Sequence, residues 1–150
     1  MFSVQTEIII KAPPHTVRDV LLDMPAYQAW STMLHYEGGT PRLGEILTLR
    51  LTPPEGAAYS FSPEIIALDE PKKFAWVGRT GFAGVFDGTH IFELYPHADN
   101  STRLVNKEDY SGLLSPIIKR IGVLKGAEPG FQQMNKEIKA RAESLVDTTK

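Results

Sequence analysis

A histidine and a glutamate in two neighbouring predicted strands form the pair with the clearest chemical potential in this sequence. His90 lies in a stretch of alternating apolar residues, and Glu108 lies in a second such stretch after a turn. A hairpin register that places Leu94 opposite Leu104 also places His90 opposite Glu108 on the same face. An imidazole beside a carboxylate can act as a general acid–base pair. A shift of one residue would pair His90 with Lys107 and remove this possibility.

The same pair has a purely structural interpretation, which is the more common one for inward polar groups. His90 and Glu108 would then only hydrogen-bond each other beside a pocket. The register also places Asn106 opposite Phe92 on the face whose apolar members point inward. Asn106 is therefore a further candidate for contact with a ligand.

Large aromatic and sulfur-containing side chains are candidates to line an apolar cavity. Trp76 is favoured because an inward strand tryptophan is large enough to shape a pocket wall, and the hydroxyl of Tyr110 needs a partner if it is buried. The alternative for each residue is ordinary core packing. The full set of ligand-binding candidates is Trp30, Trp76, Phe92, Asn106, Tyr110, Phe131 and Met134.

Other kinds of site find little support in the sequence. Arg79, beside a glycine-rich loop, could meet an anionic group, although a solvated arginine is the commoner case. That loop lacks the Lys-Ser/Thr and the strand-to-helix context of a phosphate loop. No other histidine has a second ligand at metal spacing. The sequence predicts no metal site and no cofactor.

The composition bounds the class of protein. The chain has 150 residues, of which 42% are hydrophobic and 23% charged, which fits one globular domain over residues 1–150. A net charge of −2 argues against nucleic-acid binding, and the absence of cysteine excludes disulfides and thiol chemistry. The N-terminus does not resemble a signal peptide, and no apolar run is long enough to span a bilayer. We expect a cytoplasmic monomer or homodimer without stable membrane insertion.

The elements that position these residues follow from hydrophobic periodicity. Residues 4–10 alternate as a strand, and Pro14 opens an amphipathic helix that is followed by a short helical turn at residues 27–31. Five or six strands follow between residues 47 and 111, with an edge or bulge at Pro63. Strands in an unbroken run lack helical crossovers, so the sheet should be antiparallel.

The C-terminal part of the chain has a helical period. Residues 113–125 are apolar on one side and basic on the other, which favours a helix packed on the sheet rim over a lid or a membrane contact. Gly126 and Pro129-Gly130 should kink or break the helix, after which an apolar face continues to Leu145. The prediction is an α+β helix-grip fold: a curved antiparallel sheet of six to seven strands wrapped around a long C-terminal helix.

The order of these elements, with the residues at their joints, resembles the START-related SRPBCC superfamily, in particular its polyketide cyclase/dehydrase-like branch. The matching segments cover nearly the whole chain. They include Ile10-Lys11-Ala12-Pro13, Phe74-Ala75-Trp76, Gly88-Thr89-His90-Ile91-Phe92, Glu108-Asp109-Tyr110-Ser111-Gly112 and Phe131 through Met134-Asn135. Pro13 replaces the usual small polar cap, and residues 126–130 interrupt a helix that is often continuous.

The resemblance implies a cavity between the concave face of the sheet and the C-terminal helix. The leading hypothesis is a binding protein for a small hydrophobic molecule that is aromatic, polyketide-like or lipid-derived. The second is a cyclase, dehydratase or aromatase without a metal, in which His90 and Glu108 move protons. The third is an interaction module similar to the co-chaperone branch, although no conspicuous docking surface is evident in the sequence. Whether the protein is an enzyme stays open at this point.

Overall fold

The computed structural model describes residues 1–54, 57–80, 82–121 and 127–147. These residues form eight strands and four α-helices, with two short 3-10 turns. The strands are β1 (Phe2–Ile10), β2 (Leu34–Gly38), β3 (Thr48–Leu51), β4 (Tyr59–Phe61), β5 (Glu64–Asp69), β6 (Lys73–Thr80), β7 (Phe86–His97) and β8 (Ser101–Ser111). The helices are α1 (Pro14–Leu22), α2 (Tyr27–Trp30), α3 (Ser115–Ile121) and α4 (Ala127–Asp147). The predicted α+β helix-grip class is confirmed.

The strands pair antiparallel in two sheets that are joined by one isolated bridge. The larger sheet has the order β1-β8-β7-β6-β5, the smaller one has the order β2-β3-β4, and Ile46 bridges to Glu64. The described residues therefore contain eight strands rather than six or seven. The edge predicted at Pro63 is present, since Pro63 lies between β4 and β5, which are the last strands of the smaller and the larger sheet. The short β2 was missed because its residues lack a clear two-residue alternation.

The long helix α4 packs mainly against β1 and α1. Its buried positions repeat at helical spacing, as the apolar pattern predicts. They are Phe131, Met134, Asn135, Ile138 and Ala142. Burying a large apolar side chain contributes about 1.5–3 kcal/mol, so this face holds the helix against the sheet. None of the helices in the described part of the chain combines the length and apolarity needed to span a bilayer.

Pro129 and Gly130 do not break the long helix, contrary to the prediction. Both lie in the first turn of α4, where proline has no hydrogen bond to lose because the first amides of a helix have no intrahelical acceptor. The predicted break at Gly126 lies outside the described residues, which comprise α3 up to Ile121 and α4 from Ala127.

The segment that was predicted to pack on the sheet rim is only partly covered by the described residues. Leu113, Leu114 and Ile117 are exposed, whereas Ile118 is half-buried and Ser115 is buried. Residues 122–125 of the same segment lie outside the described part of the chain.

Candidate functional site

A cavity of about 420 Å³ lies between the larger sheet, the smaller sheet and the first turns of α4. Its walls come from three parts of the chain. The larger sheet contributes Trp76, Gly78, Arg79, Phe86, Gly88, His90, Glu108 and Tyr110. The smaller sheet and its loops contribute Met33, Leu34, Leu51, Pro53, Pro54, Tyr59 and Phe61, and α4 contributes Ala127, Gly130, Phe131 and Met134. The lining is mainly apolar, and most of its polar side chains lie on the larger sheet.

Glycines keep the floor of the cavity open. Gly78 and Gly88 face each other across β6 and β7, where side chains would otherwise fill the space beside Trp76 and His90. A Cβ atom at Gly88 would collide with the carboxylate of Glu108, so glycine at this position leaves room for that side chain. Gly78 lies within strand β6.

The predicted hairpin register is confirmed. Leu94 pairs with Leu104, Phe92 with Asn106 and His90 with Glu108. The His90 Nδ1 atom lies 3.6 Å from Glu108 Oε2. That distance allows an ion pair when the imidazole is protonated, but it exceeds the usual length of a hydrogen bond. The imidazole is almost fully buried, whereas one fifth of the Glu108 side chain is accessible.

The hydrogen bond of His90 goes to Asn106 rather than to Glu108. His90 Nε2 lies 2.6 Å from Asn106 Oδ1, and the Asn106 side chain is fully buried. Asn106 Nδ2 donates to Asn135 Oδ1 at 2.9 Å, and Asn135 Nδ2 donates to Thr6 Oγ1 at 2.9 Å. Thr6 Oγ1 in turn donates to the main-chain oxygen of Asn106 at 3.1 Å. We name these four residues, Thr6, Asn135, Asn106 and His90, the polar relay.

Two members of the polar relay were not predicted from the sequence. Thr6 was counted only as part of the buried face of β1, and Asn135 was noted only within a family-like segment. A signal was present, because Asn135 directly follows Met134 on the apolar face of a long helix. A buried asparagine requires hydrogen-bond partners, which points to a polar network on the facing strands.

Aromatic rings surround the imidazole of His90. Phe92 is stacked on it with centroids 4.6 Å apart, and Phe131 meets it edge-on at 5.0 Å. Trp76 lies at 5.1 Å in a tilted arrangement. These contacts restrict the ring orientation, so only its Nδ1 edge is left for the cavity side.

Four of the seven predicted ligand-binding residues border the cavity: Trp76, Tyr110, Phe131 and Met134. The other three are not among the described residues that border it. Phe92 and Asn106 pack around His90, and Trp30 packs edge-on against Tyr27 at 5.2 Å in α2.

Two tyrosines accompany Glu108 on the cavity wall. Burial, and next the charge of Glu108, raises the pKa of Tyr110, whose ring also stacks on Phe2 at 4.9 Å and on Phe86 at 5.8 Å. Burial and Glu108 also raise the pKa of Tyr59. Both phenols therefore stay protonated at neutral pH and can donate a hydrogen bond.

Arg79 borders the cavity, and its guanidinium forms an ion pair with Glu64 at 3.5 Å. Both side chains are more than a third exposed, so the pair is screened by water and contributes little to stability. Among the described residues, no group of three or more His, Asp or Glu side chains is arranged to hold a metal ion.

Solved structures from several bacteria share this architecture. The Zhui aromatase/cyclase from Streptomyces sp. R1128 has a TM-score of 0.73 and 16% identity, with 97% of this chain and 95% of that chain covered. A START superfamily protein from Mycobacterium smegmatis has a TM-score of 0.68 and 20% identity, with coverage of 95% and 98%. A protein from Thermus thermophilus has a TM-score of 0.73 and 17% identity, with coverage of 96% and 99%. At these identities the likeness shows the fold alone.

No curated protein sequence matches this chain. A family model does match, with the description polyketide cyclase / dehydrase and lipid transport, and the match runs over residues 1–146. Since this range is nearly the whole chain, the protein belongs to the polyketide cyclase, dehydrase and lipid transport family.

Proposed function

We propose that the protein binds a small hydrophobic molecule, aromatic, polyketide-like or lipid-derived, in the cavity between the sheet and α4. The observation that carries this proposal is the cavity of about 420 Å³, which is within the range of small-molecule sites. Trp76, Phe131 and Met134 offer apolar walls, whereas His90 and Glu108 place polar atoms side by side on the larger sheet. Such a wall can orient a ligand that is mainly apolar but has one polar end.

The driving force would be the removal of apolar surface from water. At about 25 cal/mol per Å², a ligand that buries roughly 200 Å² gains about 5 kcal/mol before the cost of immobilisation. The part of the site on the larger sheet lies in paired strands, which keeps the cost of ordering that wall small.

The first test is native mass spectrometry of the freshly purified protein, followed by denaturing extraction of any bound molecule. A discrete small organic molecule would support the proposal and identify the ligand class. Binding is then measured with the neutral fluorescent probe N-phenyl-1-naphthylamine, whether or not a molecule is extracted.

The two tryptophans of the chain offer a matched pair of variants. Trp76 borders the cavity and Trp30 does not, so Trp76→Ala should weaken probe binding by about tenfold while Trp30→Ala leaves it nearly unchanged. Circular dichroism checks that both variants are folded. Equal losses in the two folded variants, or no saturable binding by the wild type, would contradict the proposal.

The contact between His90 and Glu108 favours a second candidate, an enzyme that moves a proton on the bound molecule. The cavity would hold a flexible substrate in a reactive conformation, and His90 and Glu108 would act as the acid–base pair. His90→Ala or Glu108→Gln should then abolish turnover of an identified substrate while binding changes only a few fold. Full activity in both variants would eliminate this candidate.

A further inference from the structure

The polar relay begins at an atom that can only accept a hydrogen bond. This atom is the main-chain oxygen of Asn106, and the hydroxyl of Thr6 lies 3.1 Å from it. A hydroxyl has a single proton to donate, so the Thr6 oxygen must act as an acceptor toward its other partner. That partner is the Asn135 side chain at 2.9 Å, which therefore presents its NH₂ group to Thr6.

The orientation of one carboxamide determines the orientation of the next. With its NH₂ on Thr6, Asn135 turns its oxygen toward Asn106, which must present its own NH₂ at 2.9 Å. The sulfur of Met134, 3.5 Å from the same nitrogen, is an acceptor and agrees with this orientation. The oxygen of Asn106 then faces His90 Nε2 at 2.6 Å, so Nε2 must carry a proton.

We propose that the polar relay holds His90 as the Nε2–H tautomer, so that Nδ1 is the one ring nitrogen that exchanges a proton or accepts a hydrogen bond in the cavity. Thr6, Asn135 and Asn106 are positioning residues that act through His90. The part of the inference that concerns the ligand rests on the proposed function. The preferred ligand has a hydroxyl of the phenol or enol type that donates a hydrogen bond to Nδ1. The corresponding methyl ether lacks that proton and is disfavoured.

The surroundings of Nδ1 agree with a ligand that donates a proton. The neutral imidazole presents a lone pair there, and Glu108 Oε2, at 3.6 Å, is an acceptor when ionised. Two neighbouring acceptors without a proton between them repel each other. A ligand hydroxyl that places its proton on Nδ1 reduces this repulsion. The other ionisable side chains among the described residues that border the cavity are Tyr110, Tyr59 and Arg79. The residues that α4 contributes to this border have no ionisable side chain.

The tautomer is tested directly by nitrogen-15 NMR of the imidazole rings, with His90→Gln used to assign the signals of His90. On titration from low to high pH, Nδ1 of His90 should lose its proton while Nε2 keeps its own. If Nε2 is the nitrogen that loses its proton, the inference is overturned. This measurement uses the wild-type protein and does not depend on the stability of any variant.

Thr6 permits a remote test because it is buried in β1 and is not among the described residues that border the cavity. Thr6→Val removes the hydroxyl while keeping the shape, which frees both carboxamides to turn and allows the Nδ1–H tautomer. Thr6→Ser keeps the hydroxyl and should keep the wild-type pattern. A Thr6→Val spectrum identical to that of the wild type would show that the polar relay does not hold the tautomer.

Ligand preference is tested by calorimetry with 1-naphthol and 1-methoxynaphthalene. The ratio of their affinities should fall by about threefold to tenfold from the wild type to Thr6→Val, the size expected for one hydrogen bond, and should be restored in Thr6→Ser. An unchanged ratio in Thr6→Val overturns the ligand part of the inference. If neither probe binds while N-phenyl-1-naphthylamine does, the ligand part of the inference fails alone. If none of the three binds, it fails together with the proposed function, and the NMR spectra still decide the tautomer.

Discussion

Replacing Gly78 by leucine should weaken ligand binding and stabilise the fold at the same time. Gly78 lies in β6 on the cavity floor, and its backbone is not in the left-handed region. A Cβ atom there would lie 3.9 Å from Phe61 Cδ2 and 4.0 Å from the main-chain oxygen of Gly88, which are ordinary contact distances. A larger side chain can therefore enter the cavity without displacing the backbone.

The magnitudes follow from the size of the cavity. The four side-chain carbons of leucine, each counted at the roughly 30 Å³ of a water molecule, occupy about 120 Å³, which is a little over a quarter of the 420 Å³. A ligand that fills the cavity loses the equivalent of four methylene groups, about 3 kcal/mol, which weakens binding roughly a hundredfold. Removing a glycine from a strand interior and burying part of a leucine should raise the free energy of unfolding by about 1–3 kcal/mol.

Two measurements test these opposite effects: titration with N-phenyl-1-naphthylamine and urea unfolding. The matched control is Gly38→Leu in β2, because a Cβ atom at Gly38 has no neighbour within 4 Å and Gly38 is not among the described residues that border the cavity. The control should gain some stability and bind the probe normally. Wild-type affinity in a folded Gly78→Leu protein, or an equal loss in Gly38→Leu, would refute the assignment of the cavity as the ligand site.

Three further predictions concern the polar wall of the cavity. Gly88→Ala should push the Glu108 carboxylate aside and lengthen its 3.6 Å contact with His90, and a crystal structure with an unchanged distance would contradict this. Asn106→Leu leaves the His90 and amide partners unpaired, so urea unfolding should show a loss of about 2–5 kcal/mol, and a loss below about 1 kcal/mol would be too small for these contacts. The pKa of Tyr110 is raised on folding, so its contribution to stability is complete below the unfolded pKa of about 10 and is lost as the pH rises above that value. Tyr110→Phe should reduce the alkaline loss of stability and leave the amplitude of the ultraviolet tyrosine titration at about pH 10 unchanged; a loss of amplitude there would contradict the raised pKa.

The sequence alone was sufficient to predict the pairing of His90 with Glu108. The strands β7 and β8 are consecutive, and a shift of one residue would have turned the apolar face of either strand to solvent, so periodicity determined the register. The apolar face of α4 and the antiparallel pairing of the sheet followed in the same way. Apart from the pairing of β1 with β8, these features depend on contacts between consecutive strands or within one element.

Only the tertiary structure decided which side chains reach the cavity and which atoms bind His90. Trp30 has the right residue type, yet the position of α2 turns it toward Tyr27. Thr6 and Asn135 come from opposite ends of the chain, and they meet Asn106 only because α4 packs across β1 beside β8. Hydrogen bonds require distances within a few tenths of an ångström. The packing of distant elements determines such distances, whereas periodicity determines only the face on which a residue lies.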